Sequence, residues 1–238
     1  MRILLIGYGK MGKTIEQMAL AKGHEIVGKI DRDNAHELQN FSSKDTDVAI
    51  EFTHPAQAFR NISYCLSNGI PVVSGSTGWL DKFEEAKNLC QQKQGAFFYA
   101  SNFSVGVNLF FHFNEYIASK MQAYKEYEVA VREIHHLQKV DKPSGTGITA
   151  AEGILASYTN LAGWVSDNPE EKTKLNIASE REPDVVGTHI VTYSSEVDKI
   201  ELGHIAHSRA GFAEGAVMAA EWLIGRQGVY GMKDMLNL

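Results

Sequence analysis

The chain opens on an apolar run, Arg2-Ile3-Leu4-Leu5-Ile6, which breaks directly into Gly7-Tyr8-Gly9-Lys10-Met11-Gly12. The run has the composition of a buried strand, and glycines at this spacing suit a chain that turns sharply out of a strand and into a helix. Ile15, Met18, Ala19 and Lys22 recur at helical spacing, and Gly23 supplies the stop. A second strand, Glu25 to Ile30, is closed by Asp31. An acidic residue about 20 positions after a GxGxxG that links a strand to a helix completes the fingerprint of a dinucleotide site. The glycines let backbone approach a pyrophosphate, and the helix N-terminus faces its charge. Asp31 then accepts hydrogen bonds from the adenosine ribose. Arg32 follows at once and Lys10 lies in the loop, so a 2′-phosphate also has cations to meet.

Three further strands repeat one pattern. Asp47 to Phe52 runs into Thr53-His54-Pro55, Pro71 to Ser74 into Gly75-Ser76-Thr77-Gly78-Trp79, and Ala96 to Tyr99 into Ala100-Ser101-Asn102-Phe103-Ser104. Helical stretches around residues 56–68 and 80–94 separate them. This alternation predicts a parallel sheet with its ligand edge at the carboxyl ends of the strands. There the small residues form a floor for a nicotinamide.

After about Ser104 the texture changes. Val107 to Met121 reads as a long apolar helix, and Tyr127 to His135 alternates like a strand, which sends His135 and His136 to opposite faces. The stretch Glu133-Ile134-His135-His136-Leu137-Gln138-Lys139-Val140-Asp141-Lys142-Pro143-Ser144-Gly145-Thr146-Gly147 gathers imidazoles, ammonium groups and a hydroxyl-glycine turn. Charged imidazoles and lysines side by side repel unless an anion fills the cluster. A helix opening at Ser144-Gly145-Thr146 and running to about Tyr158 would aim amides at that anion. Lys139 offers a point charge, and a histidine offers a proton near neutral pH. Residues 166–184 are polar, with Pro169 and Pro183, and read as a surface loop or lid. Val186 to Ser194 and Lys199 to Ala206 form a hairpin that extends an open sheet, and an open apolar face calls for subunit association. Phe212 to Arg226 is a small-residue helix expected to return to the first sheet.

With a net charge of −6, the chain is a poor general nucleic-acid or anionic-membrane binder, so the local basic cluster carries more information. Hydrophobic content of 44% and charged content of 22% fit a soluble globular protein, with no run long enough to span a bilayer. The start is too short for a signal peptide, and two cysteines in helical segments fit a reducing compartment, so a cytoplasmic location is expected.

The segment from Glu133 through His135-His136, Lys139 and Asp141 to Pro143-Ser144-Gly145-Thr146 resembles the dihydrodipicolinate reductases, the 4-hydroxy-tetrahydrodipicolinate reductases of the diaminopimelate route to lysine. Ala100 to Asn108, Phe52-Thr53-x-Pro55, Gly75-Ser76-Thr77-Gly78 and the GxGxxG resemble the same family, so the match spans nearly the whole chain. The resemblance implies a hydride transferred from NADH or NADPH to a cyclic dicarboxylate imine after loss of water, with a ring carbon next to the imine then protonated. It implies His135 as proton donor and Lys139 as the group that stabilises charge and grips a carboxylate. His136, Ser144, Gly145 and Thr146 would bind the dicarboxylate. The cofactor would be held by Gly7, Gly9, Lys10, Met11, Gly12, Asp31, Arg32, Phe52, Thr53, Gly75, Ser76, Thr77, Ala100, Ser101, Asn102 and Phe103. It further implies a homotetramer and no metal.

The fold expected is α/β: a Rossmann-type parallel-sheet nucleotide domain over residues 1–104 and 210–238, plus an α+β substrate-binding and oligomerisation domain with an open mixed sheet over 105–209. One competing reading is another dehydrogenase of this build, acting on a small carboxylate, a semialdehyde or a sugar alcohol. A second takes His204, His207 and His189 as metal ligands of a hydrolase, although no carboxylate pattern completes them and strand spacing separates their faces. A third is a nucleotide sensor without chemistry, which would not need an acid poised beside an anion site.

Overall fold

The computed structural model describes residues 1–208 and 210–238. In chain order the elements begin β1 (Arg2–Ile6), α1 (Lys10–Ala21), β2 (Glu25–Ile30), β3 (Val48–Glu51), α2 (Pro55–Ser67), β4 (Val72–Ser74), α3 (Phe83–Gln92) and β5 (Ala96–Tyr99). Then come α4 (Val105–Met121), β6 (Glu128–His135), α5 (Gly145–Leu155), β7 (Trp164–Ser166), β8 (Leu175–Arg181), β9 (Gly187–Ser194) and β10 (Lys199–Ala206). The chain closes with α6 (Ala210–Leu223), β11 (Gly228–Tyr230) and α7 (Met232–Leu236). Two compact units emerge: Met1–Val105 with Ala210–Leu238, and Gly106–Arg209.

The first unit is a parallel sheet in the order β11-β5-β4-β3-β1-β2. Strand alternation deals its apolar residues to two cores. Ile3, Leu5, Ile50 and Phe98 face one way and pack with Ile15 and Ala19 of α1 and Ala216, Val217 and Ala220 of α6. Leu4, Ile6, Ala49 and Phe97 face the other way, against Ile62, Cys65, Ala86 and Cys90 of α2 and α3. The run of small residues in α6 permits close approach: a Cβ on Gly215 would fall 1.8 Å from the carbonyl oxygen of Phe103. The chain thus returns to the first sheet as expected. The return goes further than the sequence pattern shows, because β11 and α7 follow α6 and the three residues of β11 are too few to display a period.

The second unit is a mixed sheet, β10-β9-β6-β8-β7, with antiparallel pairs among β10, β9 and β6 and parallel pairs among β6, β8 and β7. One face is covered by Phe110, Ala118 and Met121 of α4 and Ala150, Ala151 and Ile154 of α5, which pack on Val131, Ile177, Val191 and Tyr193. On the other face Ala130, Arg132, Glu201, Gly203 and Ile205 are exposed.

The reading of 166–184 as a loop or lid is wrong over Leu175–Arg181, which is β8, whereas residues 167–174 and 182–184 are turn and loop. β8 lies inside the sheet, hydrogen-bonded to β6 on one side and β7 on the other. Leu175, Ile177 and Ser179 point into the unit and are buried. Polar residues at three positions of Asn176-x-Ala178-Ser179-Glu180 hid a strand whose inward face has only two large apolar side chains. Ile177→Ala should therefore destabilise the protein by roughly 2–5 kcal/mol, as for other buried aliphatic truncations. Exposed Lys174→Ala should stay within about 0.5 kcal/mol of the parent. Denaturant midpoints of the two variants check this, and equal midpoints would return β8 to the surface.

Candidate active site

The fingerprint at the end of β1 is built by close contacts. Gly7 takes φ +95°, and its N–H donates to the Ile30 carbonyl at 2.8 Å. A Cβ on Gly7 would fall 2.0 Å from the Phe52 carbonyl oxygen, and one on Gly12 would fall 2.2 Å from that of Gly7. Nothing lies within 4 Å of a Cβ on Gly9. Gly9 is also the N-cap of α1, which has no side-chain cap and no acidic residue in its first turn. The amides there are left for an anion, so the cradle fits a dinucleotide pyrophosphate.

A cleft of about 630 Å³ opens beside Gly7 and Gly9, lined also by Ile6, Ile30, Asp31, Arg32, Ala35, Phe52, Thr53, His54, Gln57, Arg60 and Asn61. It lies at the carboxyl ends of β1, β2 and β3, where the strand order reverses, as ligand sites in open parallel sheets do. The Asp31 carboxylate accepts from the Arg32 N–H at 2.9 Å, which closes the exit of β2 into a turn. Lys10, Met11 and Gly12 belong to the start of α1 and do not line the cleft. Lys10 is exposed, and Met11 packs toward the core. Gly75, Ser76 and Thr77 follow β4, and Ala100, Ser101, Asn102 and Phe103 follow β5, all outside the cleft lining. Phe103 is buried with its ring against Phe52 and Phe98, so only its backbone could serve a ligand.

Glu51, which the motifs did not single out, ties these turns together. Its buried carboxylate accepts from the Thr53 N–H at 3.0 Å, the Ser74 hydroxyl at 2.6 Å, the Ser76 hydroxyl at 2.8 Å and the Thr53 hydroxyl. Arg60, His54 and Gln57 were also missed, because helical spacing on α2 gives no sign of which face borders a ligand.

In the second unit, β6 carries Val131, Glu133 and His135 toward the covered side, with Glu133 0% and His135 6% exposed. His136 follows the strand and is half-buried. The loop returns to Ser144, the N-cap of α5, whose hydroxyl accepts from the Gly147 N–H at 3.0 Å. The Ser144 N–H donates to both Glu133 oxygens, at 2.9 and 3.1 Å, and its hydroxyl donates to the same carboxylate. Ser144 is therefore committed to an internal anion. Gly145 is exposed, with nothing within 4 Å of a Cβ placed on it, and Thr146 beside it is half-buried.

The basic groups are paired within the chain. The Lys139 ammonium donates to both oxygens of Asp141, at 2.9 and 2.8 Å. Arg181 approaches Glu133 at 3.6 Å and donates to the carbonyls of Lys139, Asp141 and Glu180, which fastens the loop to β8. His189 on β9 places Nε2 3.2 Å from the Ser144 hydroxyl, and its ring lies 5.0 Å from that of His135. Burial pushes the His189 pKa down to about 3, with His135, His204 and Lys139 adding to the effect. Burial also lowers His135, opposed chiefly by the Glu133 charge. His204 pairs directly opposite His189 in the sheet, and burial lowers it too.

Among the described residues, Glu133, His135 and His189 bring ligand atoms within 4.8 Å of one another, the geometry of a metal-binding triad. The set differs from His189, His204 and His207, since His207 lies beyond β10 and is exposed. The Glu133 oxygens already receive the Ser144 donors and face Arg181, so a divalent cation there would meet filled lone pairs and a fixed positive charge. Sequence alone gave Arg181 no role, read Glu133 only as the start of a motif, and read His189 only as a metal ligand beside His204 and His207. They come together only through the pairing of β6 with β8 and β9.

The family described as dihydrodipicolinate reductase, N-terminus, matches residues 1–103, and its C-terminal counterpart matches residues 106–236. A 4-hydroxy-tetrahydrodipicolinate reductase of Christiangramia forsetii is 50% identical over 238 residues, covering 100% of this chain and 98% of its own. The enzyme of that name from Neisseria meningitidis serogroup B is 34% identical over 200 residues, 81% of this chain and 73% of its own. A dipicolinate-bound dihydrodipicolinate reductase from Paenisporosarcina sp. TG-14 shares the fold at TM-score 0.80 and 24% identity, covering 98% of this chain and 99% of that one. A myo-inositol dehydrogenase from Corynebacterium glutamicum shares the build more loosely, at TM-score 0.53 and 14% identity over 96% of this chain and 90% of that one. The chain belongs to the dihydrodipicolinate reductase family, and it is an oxidoreductase whose first unit is a nucleotide-binding Rossmann domain.

Proposed function

We propose that this chain reduces 4-hydroxy-tetrahydrodipicolinate to tetrahydrodipicolinate with NADH or NADPH, in the diaminopimelate route to lysine. The observation that carries the reading is the convergence of His135, Lys139 and the open first turn of α5 in one unit, next to a buried carboxylate. The names of the relatives support the substrate. When bound, the dihydronicotinamide supplies the hydride. The first unit holds it, with Gly7, Gly9 and the α1 N-terminus at the pyrophosphate and Asp31 and Arg32 at the adenosine ribose. Phe52, Thr53, Gly75 to Thr77 and Ala100 to Phe103 offer backbone groups to the carboxamide.

The second unit handles the dicarboxylate. Lys139, His136 and the Gly145 and Thr146 amides take its carboxylates. Loss of water from the 4-hydroxy substrate gives the conjugated imine; His135 then gives a proton to the ring carbon next to the imine, so hydride and proton together add two hydrogens across that system. A dianion beside His135 favours the imidazolium, which raises the basicity that burial lowers in the free protein. We assign the enzyme to the cytoplasm, where buried free Cys65 and Cys90 stay reduced. Among the described residues no helix is long and apolar enough to cross a membrane.

His135→Gln should lower kcat by about two to four decades with a smaller change in substrate KM. Lys139→Ala should lower kcat and weaken a pyridine dicarboxylate inhibitor together. Steady-state assays of NADH and NADPH oxidation with freshly generated substrate test both, and near-native turnover in His135→Gln would remove it from the chemistry.

The open sheet face, with Ile205 62% exposed on β10, is the proposed surface for assembly into a homotetramer. Light scattering at micromolar concentration should find an oligomer, and a monomer would end that reading.

Cofactor choice should be relaxed. The Asp31 carboxylate suits the ribose diol of NADH, whereas Arg32 and Arg60 border the same cleft and suit a 2′-phosphate. NADH should be favoured by up to about tenfold, which is roughly 1.4 kcal/mol. Added salt should weaken NADPH more than NADH. Asp31→Ala should shift the kcat/KM ratio toward NADPH and Arg32→Ala toward NADH; ratios unmoved by either would take both residues away from the ribose.

A further inference from the structure

Glu133 is fully buried at the carboxyl end of β6, and the groups around its carboxylate belong to the proposed site. The Ser144 N–H and hydroxyl donate to it from the start of α5. A Cβ on Gly147 would fall 2.6 Å from Glu133 Oε2, so the glycine lets the carboxylate sit under the helix end, where the peptide dipoles favour its charge. Arg181 stands 3.6 Å away on β8. His135 Nδ1 lies 3.9 Å from Oε2 and His189 Nε2 lies 3.7 Å from it. Among the described residues His135 Nδ1 is buried and makes no hydrogen bond, and it stands just beyond bonding distance of the Glu133 carboxylate.

We infer that Glu133 is a positioning residue for the reduction: it fixes the Ser144-Gly145-Thr146 turn and, facing His135 Nδ1, selects the tautomer that leaves His135 Nε2 to take and give the proton. The inference rests on the proposal that His135 is the acid. A neutral imidazole lowers its energy by turning an N–H, not a lone pair, toward a carboxylate. The proton to be delivered then resides on Nε2, the nitrogen away from Glu133. The same buried carboxylate anchors the first turn of α5, so the acid and the amides offered to the substrate share one fixed point.

The charged and titratable groups facing His135 are Glu133 on its own strand, Lys139 and Asp141 on the loop, Arg181 on β8 and His189 on β9, with His204 of β10 behind His189. Burial lowers the basicity of His135, Lys139 and Arg181 lower it further, and Glu133 is the largest influence raising it. An acid works only while protonated, so activity falls as pH rises through its pKa. Removing the Glu133 charge lowers that pKa and brings the fall to lower pH.

The test compares kcat against pH for the full-length protein and its Glu133→Gln, Glu133→Asp and His135→Gln variants. Glu133→Gln should move the basic limb down by about one unit or more and lower neutral-pH turnover roughly tenfold. Glu133→Asp, which keeps the charge, should hold the limb within about 0.3 unit. Fluorescence titration with NADH should show cofactor binding retained in both. Nitrogen-15 spectra of the unsubstituted protein, assigned with His135→Gln, should place the neutral-state proton on His135 Nδ1, a readout that stands even if Glu133→Gln does not fold. A proton found on Nε2, or a basic limb unmoved in a folded Glu133→Gln, overturns the role of Glu133. Near-native turnover in His135→Gln instead overturns the acid on which it rests.

Discussion

A carboxylate buried at the carboxyl edge of each sheet is the constraint around which both sites are arranged. Glu51 in the first unit and Glu133 in the second are each 0% exposed. Burying such a charge is tolerated only when hydrogen bonds replace water, so each dictates the conformation of the chain around it. Glu51 draws the Thr53 N–H and the hydroxyls of Thr53, Ser74 and Ser76 inward and joins the ends of β3 and β4. Glu133 draws in the N–H and hydroxyl of Ser144 and joins the end of β6 to the start of α5. Residues that a motif reading marks for ligands thus divide their work. Ser76 and Ser144 hold the frame, and beside them Thr77 and Gly145 are exposed.

The dinucleotide end shows the same economy in steric form. Gly7 and Gly12 are required because backbone oxygens stand about where their side chains would be, at 2.0 and 2.2 Å. Gly9 has empty space instead. The first two glycines are explained by the protein's own packing, whereas the open space at Gly9 fits the approach of a pyrophosphate to the start of α1.

How much of this was legible in sequence follows from period and distance. β1, β2 and α1 read clearly because apolar period, glycine stop and acidic closure agree over Arg2 to Asp31. β6 read clearly for the same reason, and its alternation put His135 on the correct side. β8 did not, because Ser179 replaces an apolar residue on its buried face and two prolines flank the stretch. Glu133 was seen only as the start of a motif. Its meaning depends on Ser144 eleven residues on, on Arg181 and on His189, contacts fixed by strand pairing and not by local spacing. His135 and His136 were read with the lysines as a basic cluster, whereas burial lowers the basicity of His135, and His189, outside that cluster, lies beside it with its pKa pushed down to about 3.

That change of charge alters how an anion is to be held. In the free protein the cations of this region are engaged: Arg181 faces Glu133 and Lys139 holds Asp141. The two pairs are not equally firm. Asp141 is 59% exposed, and an ion pair this open contributes about 0–1 kcal/mol, so another carboxylate can displace it at little cost. Glu133 is sealed from solvent, and removing its partners would leave a buried charge unpaired at a cost of several kcal/mol. On the proposed reading an incoming dianion would gain attraction by two routes, taking Lys139 from Asp141 and drawing a proton onto His135. Both routes leave Glu133 and Ser144 in place. In that reading the rigid half of the site would set geometry, and the exchangeable half would supply charge only when a ligand of the right sign arrives.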